Sequence, residues 1–392
     1  MSAVGSVINT DTIDLYSAAA SVHGDGNLMI SPLSILYCSM LLYLGAETAT
    51  KTNLESSLHF NKVFYSDRSA ALNAFVNGLP YFANASLNSN DNFLTTTIVN
   101  EIFVSNQATL RTQYQQSVQA LQSIAQTKDF KGQPDQSRQE INQEVARNTA
   151  NTIQNLLPPG SITEQTVIVL VNTLYFKATW SSMFEDWMTT KAPFTQLNGQ
   201  IAQVDTMHQV LFSANYTEDN DLDIQFVELP FYSRNASMLI LLPRQTNGLR
   251  KLEKALNQQY LQSLGQSAME RRVDLFLPKF TFSASFDLVK ILKALGFSNV
   301  FSASTSDLSG MINGISDGTF PPVFVSSGFH QTFISVDEKG TEAAAASALV
   351  GLAGSAQNPP PAVVFKADHP FLFIIRNNPS KATMFIGRVE SF

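Results

Sequence analysis

Gly314-Ile315-Ser316-Asp317-Gly318 has the G-x-S-x-G spacing of a nucleophile elbow. In that role Ser316 would attack an acyl carbon, with His369 as base and Asp337 or Asp368 behind it. An elbow needs a strand before the serine and a helix after it. Here Leu308-Ser309-Gly310-Met311 precedes the motif and Thr319-Phe320-Pro321-Pro322 follows it. Two consecutive prolines block a helix start of the required kind, so a loop leading into a strand is the better reading. The five histidines, at 23, 59, 208, 330 and 369, have no zinc-ligand spacing to one another or to a cysteine. There is no P-loop and no dinucleotide fingerprint. The basic pairs Arg250-Lys251 and Arg271-Arg272 read as solvated surface.

Residues 338–350 read Glu-Lys-Gly-Thr-Glu-Ala-Ala-Ala-Ala-Ser-Ala-Leu-Val. Alanine favours helix. Taken with a period of two, however, Thr341, Ala343, Ala345, Ser347 and Leu349 form one small, uncharged face, with Glu342 on the other. A strand of that pattern could slide between two others without burying a charge. The bland alternative is a flexible low-complexity loop.

The elements that must position these residues are mixed. Apolar residues recur at helical spacing in 35–44, 72–82 and 114–124. Residues 106–157 are rich in Gln and Asn but keep a helical pattern, with Ile141, Val145, Thr149 and Ile153 four apart. Pro158-Pro159-Gly160 is expected to end that helix. Strand patterns follow at 167–176, 224–231, 237–242, 273–282, 323–336, 362–365, 371–376 and 384–389. Helical interludes lie at 249–264 and 286–295. No β-α-β alternation, internal repeat or polar linker divides the chain, which predicts an α+β fold in one large domain over 1–392.

The chain has 392 residues, is 44% hydrophobic and carries a net charge of −7. The charge argues against general nucleic-acid or anionic-membrane binding. A single cysteine, Cys38, excludes an intramolecular disulfide framework and reads as a small core hydrophobe. The apolar run 28–44 contains Pro32 and reads as core rather than a membrane span. Sequons stand at Asn84, Asn215 and Asn235, no more than a chain rich in Asn, Ser and Thr would carry by chance.

Several ordered motifs make the chain resemble a serpin along nearly its whole length. Asn27-Leu28-Met29-Ile30-Ser31-Pro32-Leu33-Ser34-Ile35 resembles the family's early strand-to-helix motif. Residues 171–180, from Val171 to Trp180, resemble its central strand of sheet A. Asp307-Leu308-Ser309-Gly310 resembles a family loop, which accounts for the false hydrolase signal beside it. Residues 338–346 resemble the hinge of the reactive-centre loop, and residues 365–371 and 385–389 resemble the C-terminal strands.

The resemblance implies a fold of about nine helices and three β-sheets, with an exposed loop over about 338–362. It implies that the loop is bait for a serine protease, or for a cysteine protease, which is trapped as an acyl-enzyme. The cleaved hinge then enters sheet A as a new strand and releases stored strain. The hinge residues would be Glu338, Gly340, Thr341, Glu342, Ala343, Ala344, Ala345 and Ala346. Ser31, Ser34, Asn172 and His330 resemble the shutter beneath the insertion point, where buried polar groups have to satisfy one another. Trp180, Lys279 and Glu338 resemble the breach, where insertion begins, and a Lys279–Glu338 ion pair is expected there. The small hinge favours an inhibitory serpin, which is not an enzyme, over a non-inhibitory binding or structural relative. No cofactor or metal is implied. The expected state is a monomer that can polymerise by loop insertion.

Counting seventeen residues from Glu338 puts the cleaved bond at Gly354–Ser355. Glycine offers a specificity pocket nothing to hold, so Leu352, Ala353, Gly354, Ser355 and Ala356 all stand as reactive-bond candidates. No Lys or Arg lies between Lys339 and Lys366, which argues against a trypsin-like target. No acid follows Glu342 until Asp368, which argues against an Asp-directed one. Small residues suit an elastase-like or subtilisin-like pocket, and Leu352 suits a chymotrypsin-like one. Helix 72–82 has no basic residue, so heparin-type activation is not expected. With no recognisable signal peptide, a leaderless, cytoplasmic protein is expected; a secreted protein whose signal peptide has been removed is the alternative.

Overall fold

A long N-terminal helix, α1 (Ala3–His23), leads through β1 (Leu28–Ile30) to α2 (Pro32–Gly45), which is buried on every face. Ser31 ends β1 and caps α2. Its hydroxyl accepts the Ser34 N–H at 3.0 Å, and Pro32 takes the first helical position. The structure, a computed structural model, describes residues 3–82, 94–313, 323–341 and 360–392. The other helices are α3 (Thr48–Ser57), α4 (Phe60–Val63), α5 (Arg68–Phe82), α6 (Thr112–Ala120), α7 (Pro134–Asn148), α8 (Leu249–Ala255), α9 (Gln258–Ser267) and α10 (Leu288–Ala294). That makes ten α-helices among the described residues, one more than expected.

The same residues form three sheets. A six-stranded sheet runs β11 (Phe280–Asp287), β13 (Val325–Val336), β14 (Gly340–Thr341), β5 (Ile168–Thr179), β2 (Leu94–Ser105), β4 (Ile124–Lys128). A nine-stranded sheet runs β1, β17 (Thr383–Val389), β16 (Phe371–Asn377), β9 (Ala236–Pro243), β8 (Ile224–Pro230), β7 (Ile201–Asp219), β10 (Met269–Pro278), β15 (Val363–Lys366). In it β6 (Thr190–Thr195) also pairs with β7. β3 (Thr109–Leu110) and β12 (Ile312–Asn313) make the third. The α+β expectation holds.

The main core lies between the two large sheets, with α2 against β2, β5 and β17. A second, smaller core lies on the other side of the six-stranded sheet, under α7. β5 is buried along nearly its whole length because both its faces are covered, as its continuous apolar sequence predicts.

Several elements differ from the sequence pattern. The helix expected to run to Pro158 ends at Asn148. Ala150 and Asn151 take positive φ, and the Asn151 N–H turns back to the Ala146 carbonyl. Residues 114–124 are not one helix: α6 stops at Ala120, Gln122 takes positive φ, and Ile124 opens β4. Residues 273–282 are two strands, β10 and β11. Lys279 stands where the chain passes between sheets, its N–H on the Asp205 carbonyl at 2.8 Å. Residues 249–264 split into α8 and α9 because Asn257 caps a new helix through the Tyr260 N–H. Phe286 belongs to β11 rather than to α10. β2 is a strand that the sequence pattern did not mark.

Candidate functional site

β5 and β13 run parallel and pair directly from Val325↔Ile168 to Phe333↔Tyr175. Above that point they part, and the short β14 stands between them. Thr341 pairs antiparallel with both Val336 and Ala178, and Gly340 pairs with Thr179. The sheet therefore has a slot at one end of a seam, with the first two residues of a third strand already in it. The Thr341 side chain is buried and on the same side as Val336 and Ala178, which face the main core. Residues 342–359 follow this point. They include the hinge residues Glu342, Ala343, Ala344, Ala345 and Ala346 and the candidates Leu352, Ala353, Gly354, Ser355 and Ala356, and all lie outside the described residues.

A tight turn delivers the chain into the slot. Asp337 closes it, its side chain accepting the Lys339 and Gly340 N–H groups at 2.9 and 3.1 Å. Trp180 grips the same turn twice, through its backbone N–H to the Lys339 carbonyl at 2.8 Å and its indole N–H to the Asp337 carbonyl at 2.9 Å. The indole is itself stacked on Phe231, centroids 4.7 Å apart at 9°. Gly340 has φ +150, and a Cβ there would stand 2.0 Å from the Ala178 carbonyl oxygen. Only glycine permits this close passage.

Glu338 and Lys279 meet across the turn. The Lys279 ammonium lies 2.8 Å from Oε2 and 3.1 Å from Oε1, and the Thr189 hydroxyl donates to Oε1 at 2.7 Å. Burial opposes the charge on Glu338, but Lys279 and Thr189 outweigh it and hold the carboxyl below its ordinary range. The bond to Glu338 likewise holds the Lys279 ammonium above its ordinary range. Sequence reasoning missed Thr189, which no motif marks.

Lower on the seam, Ser31, Ser34, Asn172 and His330 are brought together, all fully buried. His330 and Asn172 are register partners across β13 and β5. The Ser31 N–H donates to His330 Nε2 at 3.2 Å, so the ring proton sits on Nδ1 and is donated to the Asn172 side-chain oxygen. Burial pushes the imidazole down to about 3, so it stays neutral near pH 7. The Asn172 amide donates to the Ser34 carbonyl at 2.8 Å and hydroxyl at 2.6 Å, and to Asn100. Asn100, the register partner of Asn172 on β2, is a member that the sequence did not reveal.

The hydrolase constellation does not assemble among the described residues. His369 Nδ1 meets Asp368 at 2.8 Å, but Nε2 faces the Pro243 carbonyl, so neither ring nitrogen faces a nucleophile. Asp337 is occupied by its own turn, and Ser316 lies outside the described residues. Among the described residues no group of three or more His, Cys, Asp or Glu could hold a metal ion, and no helix is long and apolar enough to cross a membrane. Cys38 is buried, which pushes its thiol up to about 12. Asn215 and Asn235 are both exposed, and Asn84 lies outside the described residues.

A family model described as Serpin (serine protease inhibitor) matches residues 7–392. The chain is 33% identical over 393 residues to the leukocyte elastase inhibitor of Equus caballus, with 97% of each chain covered. The crystal structure of Serpin48, a highly specific serpin in the insect Tenebrio molitor, matches at 28% identity with a TM-score of 0.85, covering 99% of this chain and 98% of that one. Uncleaved ovalbumin matches at 25% identity with a TM-score of 0.84, covering 99% of this chain and 100% of that one. A seam with a partly filled slot, a family model and relatives that each span nearly the whole chain agree: the protein belongs to the serpin family of serine protease inhibitors and is not an enzyme.

Proposed function

We propose that the protein is an inhibitory serpin that traps a serine protease of elastase-like, subtilisin-like or chymotrypsin-like preference. The observation that carries this reading is the register of Thr341 in the slot. Continued down the seam, the same register puts Ala343 between Ile334 and Phe176, Ala345 between Thr332 and Leu174, and Ser347 between His330 and Asn172. Every core-facing position then receives a small or apolar, uncharged side chain. Glu342 falls on the opposite face, between Ser335 and Lys177.

The chemistry follows from the protease. Its serine oxygen adds to the carbonyl carbon of the scissile bond, the C–N bond breaks, and the new amino terminus takes a proton from the protease histidine. The ester left behind tethers the protease to the hinge. Strand insertion then competes with hydrolysis of that ester. The hinge residues are Glu338 to Ala346, the shutter is Ser31, Ser34, Asn172 and His330 with Asn100, and the breach is Trp180, Lys279 and Glu338 with Thr189.

The likeness to ovalbumin supports a second reading, a non-inhibitory binding or structural serpin. Incubation with elastase, subtilisin, chymotrypsin and trypsin separates the two. An SDS-resistant complex with one of the first three is expected. Cleavage by the panel with no complex would leave the second reading. Mass spectrometry of the released C-terminal peptide fixes the bond, expected between 352 and 357.

A further inference from the structure

The second core crosses the seam. After α7 the chain folds back along the helix, where Asn142 pins Leu157 through both its side-chain atoms, at 2.9 and 2.8 Å. This strap, residues 149–162, packs Ile153, Leu156 and Leu157 in one cluster with Phe103 of β2, Val171 of β5 and Phe329 of β13. Phe329 and Val171 are register partners across the seam. A strand that enters there has to part these two residues, and with them the floor on which α7 and the strap rest.

Glu101 of β2 stands in that floor with 1% of its surface exposed. Its Oε1 accepts from Asn148, the last residue of α7, at 2.9 Å, and no hydrogen-bond partner reaches Oε2 among the described residues. α7 turns Glu144 and Arg147 towards it, and β4 contributes Lys128. The Lys128 ammonium is engaged by Glu140 at 3.1 Å, and Glu144 is held by Gln126 at 2.8 Å. The β5 partner of Glu101, Val171, is apolar. Burial first, and the Glu144 charge second, push the Glu101 carboxyl up to about 7.

We propose that Glu101 is a protonation-controlled latch between α7 and the six-stranded sheet, which holds the strap most firmly on the acid side of neutrality. A buried carboxylate with one unpartnered oxygen disfavours the closed strap, and a protonated one does not. When the strap lifts, water reaches Glu101 and its ordinary range returns, near 4.5. The closed form therefore binds the proton more tightly. Raising the pH from about 4.5 through 7 favours opening, and above 7 the effect saturates. The consequence for inhibition rests on the reading proposed above; the latch itself does not.

The test is hydrogen exchange of residues 134–162 in the full chain, corrected for intrinsic rates, at pH 5.5, 6.5, 7.5 and 8.5. In the wild type, opening is expected to rise about thirtyfold across that range. Glu101→Gln, which stays neutral, is expected to keep the low value throughout. Glu144→Gln, which leaves Glu101 in place, is expected to move the midpoint to lower pH. Equal pH dependence in wild type and Glu101→Gln, or none in the wild type, overturns the latch. Annealing of a synthetic peptide of residues 341–352 is measured in parallel and is expected to speed up with pH in the wild type and in Glu144→Gln, and not in Glu101→Gln. A peptide that never anneals, beside the expected exchange profile, counts against strand insertion and leaves the latch standing.

Discussion

Thr341 and Ala178 are joined twice: the threonine hydroxyl accepts the Ala178 N–H at 2.8 Å and donates to the Ala178 carbonyl at 3.3 Å. This contact fixes the register of everything that could follow Thr341 down the seam. A shift of one residue would exchange the core-facing set for the one on the opposite face of the sheet and turn Glu342 inward.

That register makes the two faces of the hinge testable. Ala345→Arg would bring an unpaired charge into the core on insertion, at a cost of several kcal/mol. It is expected to turn the inhibitor into a substrate, cleaved at an unchanged rate without a stable complex. Glu342→Arg, on the other face between the part-exposed Ser335 and Lys177, is expected to keep complex formation. Stoichiometries of inhibition that respond equally to both substitutions would contradict the register.

At Gly340, the added methyl of Gly340→Ala meets the Ala178 carbonyl, so β14 cannot keep its place. The expected cost is about 1–3 kcal/mol, seen as a lower Tm. Exchange of the Trp180 amide, which donates to the Lys339 carbonyl, should accelerate with it.

The Glu338–Lys279 pair gives a pH window. Glu338 is held below its ordinary 4.5, so its contribution is full above about pH 4.5 and is lost as pH falls through the folded value. Lys279 is held above its ordinary 10.5, so its contribution is full below about pH 10.5 and is lost as pH rises through the folded value. Lys279 is partly exposed, so screening limits the expected loss in Glu338→Gln to about 1 kcal/mol. Glu338→Lys, which sets two ammonium groups together, is expected to release the hinge and speed polymerisation on mild heating, as followed by native gel electrophoresis.

His330 titrates in the opposite sense to Glu101. Its folded value lies below the ordinary 6.5, so its contribution to stability is full above pH 6.5 and declines as pH falls towards 3. His330→Ala strands the Ser31 N–H and the Asn172 oxygen, at an expected cost of about 1–3 kcal/mol for each buried group left unpaired. The difference in Tm between wild type and variant should narrow from pH 7 to pH 5. A constant difference would contradict the assignment.

The central features were legible where a residue's neighbours in sequence are also its structural context. The continuous apolar run of β5 and the strand patterns of β8 and β9 follow from local pattern. β7 did not, because most of its 19 residues carry no apolar alternation; it is held as a strand by pairing with β6, β8 and β10. The helix end at Asn148 was misplaced because Ile153 keeps helical spacing while serving a strap that packs on the sheet. Thr189 and Asn100 carry no motif, and only the fold brings them to Glu338 and Asn172.

By itself the sequence determined that residues 338–350 could be a strand with one small face, and that ordered motifs surround it. It could not determine where such a strand would go. The tertiary structure decided that, by parting β5 and β13 above Phe333 and Tyr175 and seating Gly340 and Thr341 between them. The physical reason is that alternation is local and can be read along one chain. A slot is a relation between two strands some 150 residues apart, set by the pairing that closes it below and the Trp180 turn that holds it open above.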